Sequence, residues 1–178
     1  MVKVNRYDTS QLEAIAKGDQ TAMERLFEQY KQDVFRYCMS ILSDYHAAED
    51  VTQEVFLHIF RFAQQYKGQA AIRTWIFAIA KNAATEYYRK SSRSAPYLLS
   101  EENLPSPAVS VSTQGDFYEL LSVLDQDSRS VVAMHLAGGL KHREIACILG
   151  KSESAVKKQY SRALKRLQKQ LYEEGDSK

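Results

Sequence analysis

The chain has 178 residues, room for one ordinary domain or two small ones, and its 44% hydrophobic and 11% aromatic content can build a core, which excludes wholesale disorder. No apolar run approaches the roughly 20 residues that cross a bilayer, and the opening MVKVNRYDTS has no hydrophobic signal core, so a cytoplasmic location is expected. The net charge of +2 hides a segregation: residues 1–60 carry 6 basic and 10 acidic side chains, whereas 61–93 carry 7 basic ones against Glu86 alone. Residues 94–128 hold no Lys or Arg, and 129–170 hold 10 against Glu144 and Glu153. Each positive block is a candidate phosphate-binding surface.

In chain order, Thr21 and Glu24 have capping-box spacing, and Met23, Leu26, Phe27, Tyr30, Val34, Tyr37, Cys38 and Ile41 follow with the period of a long amphipathic helix. A second helix is predicted over about 47–62, burying Val51, Val55, Ile59 and Phe62. A polar loop containing Gly68 turns the chain into a third helix over about 74–90, which buries Trp75, Ile76, Ile79 and Ala83. Pro96, Pro105 and Pro107, the only prolines, then fall with many serines in a linker, because proline lacks an N–H and serine competes for backbone hydrogen bonds. Four shorter helices are expected beyond it, over about 116–124, 128–137, 142–149 and 153–172, with Gly138, Gly139 and Gly150 at the breaks. The expected fold is all-α: two small helical domains, 1–92 and 116–173, joined by a flexible linker over 93–115.

Residues 142–166 carry the sharpest signal. A helix-turn-helix needs a small residue where its helices cross, a glycine in the turn and an apolar residue early in the second helix; Ala146, Gly150 and Val156 supply these at the required spacing. Ile145, Leu149, Tyr160, Ala163, Leu164 and Leu167 complete the inward face, leaving Ser154, Lys157, Lys158, Gln159, Ser161 and Arg162 outward. A helix presenting Lys, Gln and Arg suits the major groove, where cations meet phosphates and guanine edges and glutamine can read adenine. A two-helix hairpin with a solvated basic face is the bland alternative.

Two further surfaces stand out. Lys81, Asn82, Thr85, Tyr88 and Arg89 share the exposed side of the third helix, with Tyr66 and Lys67 on the loop before it; aromatics beside cations suit unstacked bases. Trp75 and Phe77 fit core positions better than stacking platforms. Asp50, Gln53, Glu54 and Leu57 form a stripe on the second helix, and an acidic stripe repels DNA, so any partner there should be protein. Cys38 and Cys147 read as reduced core residues, and neither has a partner at metal-ligand spacing. The four histidines are scattered with no legible catalytic constellation, so no enzyme, metal, cofactor or small-molecule substrate is expected.

The runs AEDVTQEVFLHIF, YKGQAAIRTWIFAIAKNAATEYYRK and GLKHREIACILGKSESAVKKQYSRALKRL, in that order, resemble regions two and four of RNA polymerase sigma factors of the sigma-70 family. The short linker points to their extracytoplasmic-function group. The resemblance implies that Asp50, Gln53, Glu54 and Leu57 dock on the beta-prime clamp helices of core RNA polymerase, and that the second domain sits on the beta flap. It implies capture of minus-ten promoter bases by Tyr66, Lys67, Lys81, Asn82, Thr85, Tyr88 and Arg89. It implies recognition of the minus-thirty-five element by Ser154, Lys157, Lys158, Gln159, Ser161 and Arg162, and control by an anti-sigma factor, often membrane-anchored. Four departures from the family pattern stand near these surfaces: Lys141 in place of a Ser or Thr helix cap, Ala155 in place of a Thr, Gln159 in place of an Arg, and Glu86 in place of an Asp. A two-domain helix-turn-helix regulator that works without core polymerase is the competing assignment.

Overall fold

A computed structural model describes residues 6–94 and 113–175, and every regular element among them is helical. The helices are α1 (Arg6–Ala16), α2 (Gln20–Leu42), α3 (Tyr45–Phe62), α4 (Ile72–Ser94), α5 (Thr113–Ser122), α6 (Gln126–Leu136), α7 (His142–Leu149) and α8 (Glu153–Gly175), with one 3-10 turn at Ala63–Gln65. The linker expected over 93–115 lies mostly outside the described residues.

The ends of the long helices are set by side-chain caps. Asp19 opens α2: its Oδ1 accepts the Ala22 N–H at 3.0 Å. The capping box expected at Thr21 and Glu24 is therefore not the start of this helix, since both residues already lie within it. Ser43 closes α2 in the left-handed conformation with φ 53° and donates its N–H to Met39 O. Asp44 follows at once, accepting from Ala47 N at 2.7 Å to open α3. Two residues thus suffice to reverse the chain, and α2 and α3 pack side by side.

α1 precedes the first helix that periodicity predicts and buries Leu12 and Ile15. The common core joins them to Leu26, Val34, Tyr37 and Cys38 of α2, Val51, Val55 and Ile59 of α3, and Ile76, Phe77, Ala80 and Ala84 of α4. Phe27 meets Phe56 edge to face at 4.8 Å, the ring arrangement favoured by aromatic quadrupoles. Phe62 is only half-buried and lies against the His58 ring instead. Burial pushes the Cys38 thiol up to about 12, so it is an inert core group.

The same core continues into the C-terminal helices through Val131, Ala133, Met134, Leu140, Ile145, Ala146 and Val156. A second, smaller cluster of Leu121, Leu124, Val132, Ala163 and Leu167 ties α5 and α6 to α8. Polar contacts fix the seam between the two halves. Tyr37 Oη and Ser130 Oγ share a buried hydrogen bond of 3.0 Å. Arg73 donates to Asp33 at 2.8 Å and to Gly138 O at 2.7 Å, with its guanidinium 5.1 Å from the Tyr30 ring centre. Burial raises the Tyr37 phenol well above its ordinary pKa, so it stays neutral in the seam.

Candidate nucleic-acid and protein interfaces

Helices α7 and α8 meet as the spacing predicts. Ala146 and Val156 are buried at the crossing, and Gly150 turns the chain with φ 62°. Lysine has no acceptor, so Lys141 cannot cap α7. Glu144 supplies the reciprocal half of a capping box instead, accepting the Lys141 N–H at 2.8 Å. Lys141→Ser should complete that box and raise stability by about 1 kcal/mol, seen as a higher thermal unfolding midpoint. An unchanged midpoint would show that the carboxylate alone satisfies this helix end. Ser152 Oγ accepts the Ala155 N–H at 3.2 Å and so opens α8.

An aromatic knot ties α8 to α6 and α7. The His135 and His142 rings stack with centres 4.9 Å apart, and Tyr160 closes edge-on to both, at 4.8 and 5.0 Å. His135 Nδ1 lies 2.8 Å from Leu140 O. His142 Nε2 is shut off from solvent with no hydrogen-bond partner among the described residues. Desolvation, then His135 and Lys157, hold the His142 pKa below its ordinary 6.5, with Glu153 pulling weakly the other way. A histidine with a depressed folded pKa contributes stability above the unfolded value, and that stability is lost as pH falls below it. The wild-type unfolding midpoint should therefore drop between pH 7.5 and 5.5 by more than that of His142→Phe. Equal drops would remove the knot from the cause.

The face expected to read the minus-thirty-five element is solvent-facing. Ser154, Lys157, Lys158, Ser161 and Arg162 are exposed, with Lys157 paired to Glu153 at 2.7 Å. Gln159 differs: it is half-buried, and both ends of its amide are engaged, Oε1 by Lys151 Nζ at 3.2 Å and Nε2 towards Ser128 Oγ at 3.5 Å. Leu164, expected inward, is 39% exposed, since the buried stripe runs through Ala163 and Leu167. Cys147, expected in the core, is also exposed, because α7 turns Ile145 and Ala146 inward instead.

On α4, Asn82, Thr85, Tyr88 and Arg89 lie exposed along one side, with Lys81 half-buried above them. Thr85 Oγ1 donates back to Lys81 O at 2.7 Å. Lys67 is exposed on the preceding loop, but Tyr66 is half-buried: its hydroxyl donates to Ala70 O at 2.6 Å and its ring lies 5.4 Å from Trp75. The expected minus-ten residues therefore fall into a packed group at the start of α4 and an open one towards its end. Phe77 is fully buried and Trp75 partly so, as core residues.

On α3, Asp50, Gln53, Glu54 and Leu57 are all exposed. Leu57 is 55% exposed and Phe60, one turn further on, 47%. Phe60 extends the stripe beyond what the sequence suggested, although the continuing period at i+3 was available to find it. Leu57 and Phe60 thus add two exposed apolar side chains to the stripe that bears Asp50 and Glu54.

A helix-turn-helix with a cationic outer face, set on a helical bundle that bears a separate acid-edged stripe, is the architecture of a DNA-binding protein. Residues 26–94 match the family model "Sigma-70 region 2" and residues 114–167 match "Sigma-70, region 4". The chain is 28% identical over 159 residues to the ECF RNA polymerase sigma factor SigM of Bacillus subtilis, covering 86% of this chain and 96% of SigM. It is 28% identical over 173 residues to a probable RNA polymerase sigma factor, RfaY, of Xanthomonas campestris, spanning 91% of this chain but only 43% of that protein. The fold is similar to that of the sigma factor RpoE from Bartonella quintana, crystallised with the anti-sigma factor NepR, with a TM-score of 0.70 over 84% of this chain and 96% of that one and 23% identity. The chain belongs to the extracytoplasmic-function group of sigma-70 family sigma factors. Among the described residues, no helix is long and apolar enough to cross a membrane.

Proposed function

We propose that this chain gives core RNA polymerase its promoter specificity. The α3 stripe docks on the beta-prime clamp helices, the open end of α4 holds melted minus-ten bases, and α8 enters the major groove of the minus-thirty-five element. The chain itself performs no covalent chemistry. The observation that carries this is the coexistence of a cation-faced recognition helix with bare Leu57 and Phe60 that continue the stripe of Asp50, Gln53 and Glu54 on α3. A regulator that binds duplex DNA alone accounts for the first feature and leaves the second unexplained. Segments 1–92 and 116–173 are taken as the two working domains. An anti-sigma factor is the expected regulatory partner, a reading supported by the likeness in fold to a sigma factor crystallised with one.

The test is transcription by core polymerase of the native host, with and without the protein, on fragmented genomic DNA. Discrete start sites sharing two upstream elements are expected only when the protein is present. Their absence, together with tight duplex binding by the protein alone, would favour the independent regulator.

A further inference from the structure

An open groove of about 580 Å³ runs between the turn that starts α6 and one flank of α8. Four cations, Lys151, Lys158, Arg162 and Arg166, line it together with Asp125 and Asp127. The two carboxylates offset only half of that charge, so four cations against two anions leave the lining positive. Asp125 is the α6 cap, accepting Ser128 N–H at 2.9 Å; that hydrogen bond, with a smaller attraction to Arg166, holds its pKa low and keeps it ionised. Asp127 pairs with Lys151 at 2.9 Å, but its side chain is 74% exposed, and an ion pair so open to water is weak. An incoming polyanion can displace it.

Lys151 belongs to none of the promoter-contacting sets drawn from the sequence, yet its placement is built. Gln159 accepts from its ammonium at 3.2 Å, and the other end of the same amide is turned towards buried Ser128 at 3.5 Å. A glutamine that reads adenine spends both amide ends on the base. Here both ends are spent on protein, and the product of that arrangement is a lysine held at the mouth of a cationic groove. On α8 the 3.6-residue period separates this flank, with Lys158, Arg162 and Arg166, from the neighbouring face, with Ser154, Lys157 and Ser161.

We propose that Lys151, Arg162 and Arg166 form a seat for the DNA phosphate backbone beside the recognition helix, and that Gln159 is a positioning residue for Lys151 rather than a base reader. Asp127 masks Lys151 until a phosphate displaces it, which lowers attraction to unrelated DNA. This inference rests on the reading of α8 as a promoter-binding helix.

The experiment measures binding of holoenzyme, assembled from full chain and native core polymerase, to a duplex library randomised over the upstream promoter element, at several salt concentrations. A phosphate contact weakens all sequences alike and contributes about one unit to the slope of log affinity against log salt. Lys151→Ala should therefore lower affinity by a similar factor across the library and reduce that slope by about one, with Lys151→Arg restoring it. Gln159→Ala should give a smaller but equally flat loss. Asp127→Asn should tighten binding to unrelated duplex several-fold. A Gln159→Ala change confined to one base-pair position, or an unchanged slope in Lys151→Ala, would overturn the proposal. Competition by inorganic phosphate at millimolar concentration would show a small-anion site rather than a backbone seat, and would overturn it as well. If wild-type holoenzyme shows no sequence preference, the sigma-factor reading fails; the salt slopes of the full chain on plain duplex still decide the seat.

Discussion

Replacing Gly138 with alanine should destabilise the protein by about 3 kcal/mol, near the upper end of what overpacking by one carbon costs. A Cβ at this position would lie 2.5 Å from Met134 O, 2.7 Å from Phe77 Cε1 and 2.8 Å from Phe77 Cζ. None of these atoms can yield cheaply. Met134 O is held by the Leu140 N–H at 3.2 Å. Phe77 is fully buried and stands edge-on to Tyr37 at 5.7 Å, and Tyr37 is in turn bonded to Ser130 across the seam. The displaced turn would also draw the Gly138 carbonyl away from Arg73, which bonds it at 2.7 Å. Urea unfolding of wild type and variant measures the loss, and a difference under about 0.5 kcal/mol would mean that the seam is loose enough to absorb a methyl group. Adding Phe77→Ala should relieve only the ring clash, because the backbone oxygen remains. The double variant should thus be less destabilised than the sum of the two single ones.

That contact also shows where sequence reading stops. Gly138 and Gly139 both read as helix-ending glycines, but only Gly139 has a positive φ, 60°. Gly138 is needed for close approach to a phenyl ring from α4, and nothing in its neighbours announces that. The seam joins Tyr37 to Ser130 and Arg73 to Gly138, partners 93 and 65 positions apart, whereas periodicity reports only local geometry. The helix-turn-helix was legible for the opposite reason, since Ala146, Gly150 and Val156 act on one another within a few turns. The misplacements are instructive too. Leu164 and Cys147 are apolar enough to suggest burial, but both fall beside the buried stripe of their helices rather than on it, and composition cannot reveal that. α1 escapes a periodicity search because, among its described side chains, Leu12 and Ile15 alone are buried along a mostly polar stretch. The first cap was misplaced because two acceptors, Asp19 and Thr21, compete within three residues. In the candidate sites, residue type indicates which side chains suit an exposed polar face, but the direction each takes depends on neighbours that residue type does not reveal, as Tyr66 and Gln159 show.

Alanine at Asp50, Gln53 and Glu54 together should weaken association with core polymerase roughly 100-fold, about 2.8 kcal/mol, if two of the three each contribute about 1.4 kcal/mol. All three are exposed on α3, and alanine is the better helix former, so the fold should persist with an unshifted or slightly higher unfolding midpoint. Loss of binding with retained stability separates a docking surface from a structural one. The apolar members supply a second handle. Leu57→Asp or Phe60→Asp leaves the carboxylates in place but introduces a charge where a partner would exclude water, so each should weaken binding on its own while leaving DNA binding by the free protein intact. Salt distinguishes the two kinds of contact: raised ionic strength should erode the part due to Asp50 and Glu54 and spare the part due to Leu57 and Phe60. Should the triple variant bind core polymerase as tightly as wild type, the stripe would be a solvated helix face after all, and the docking surface would have to be sought on another helix.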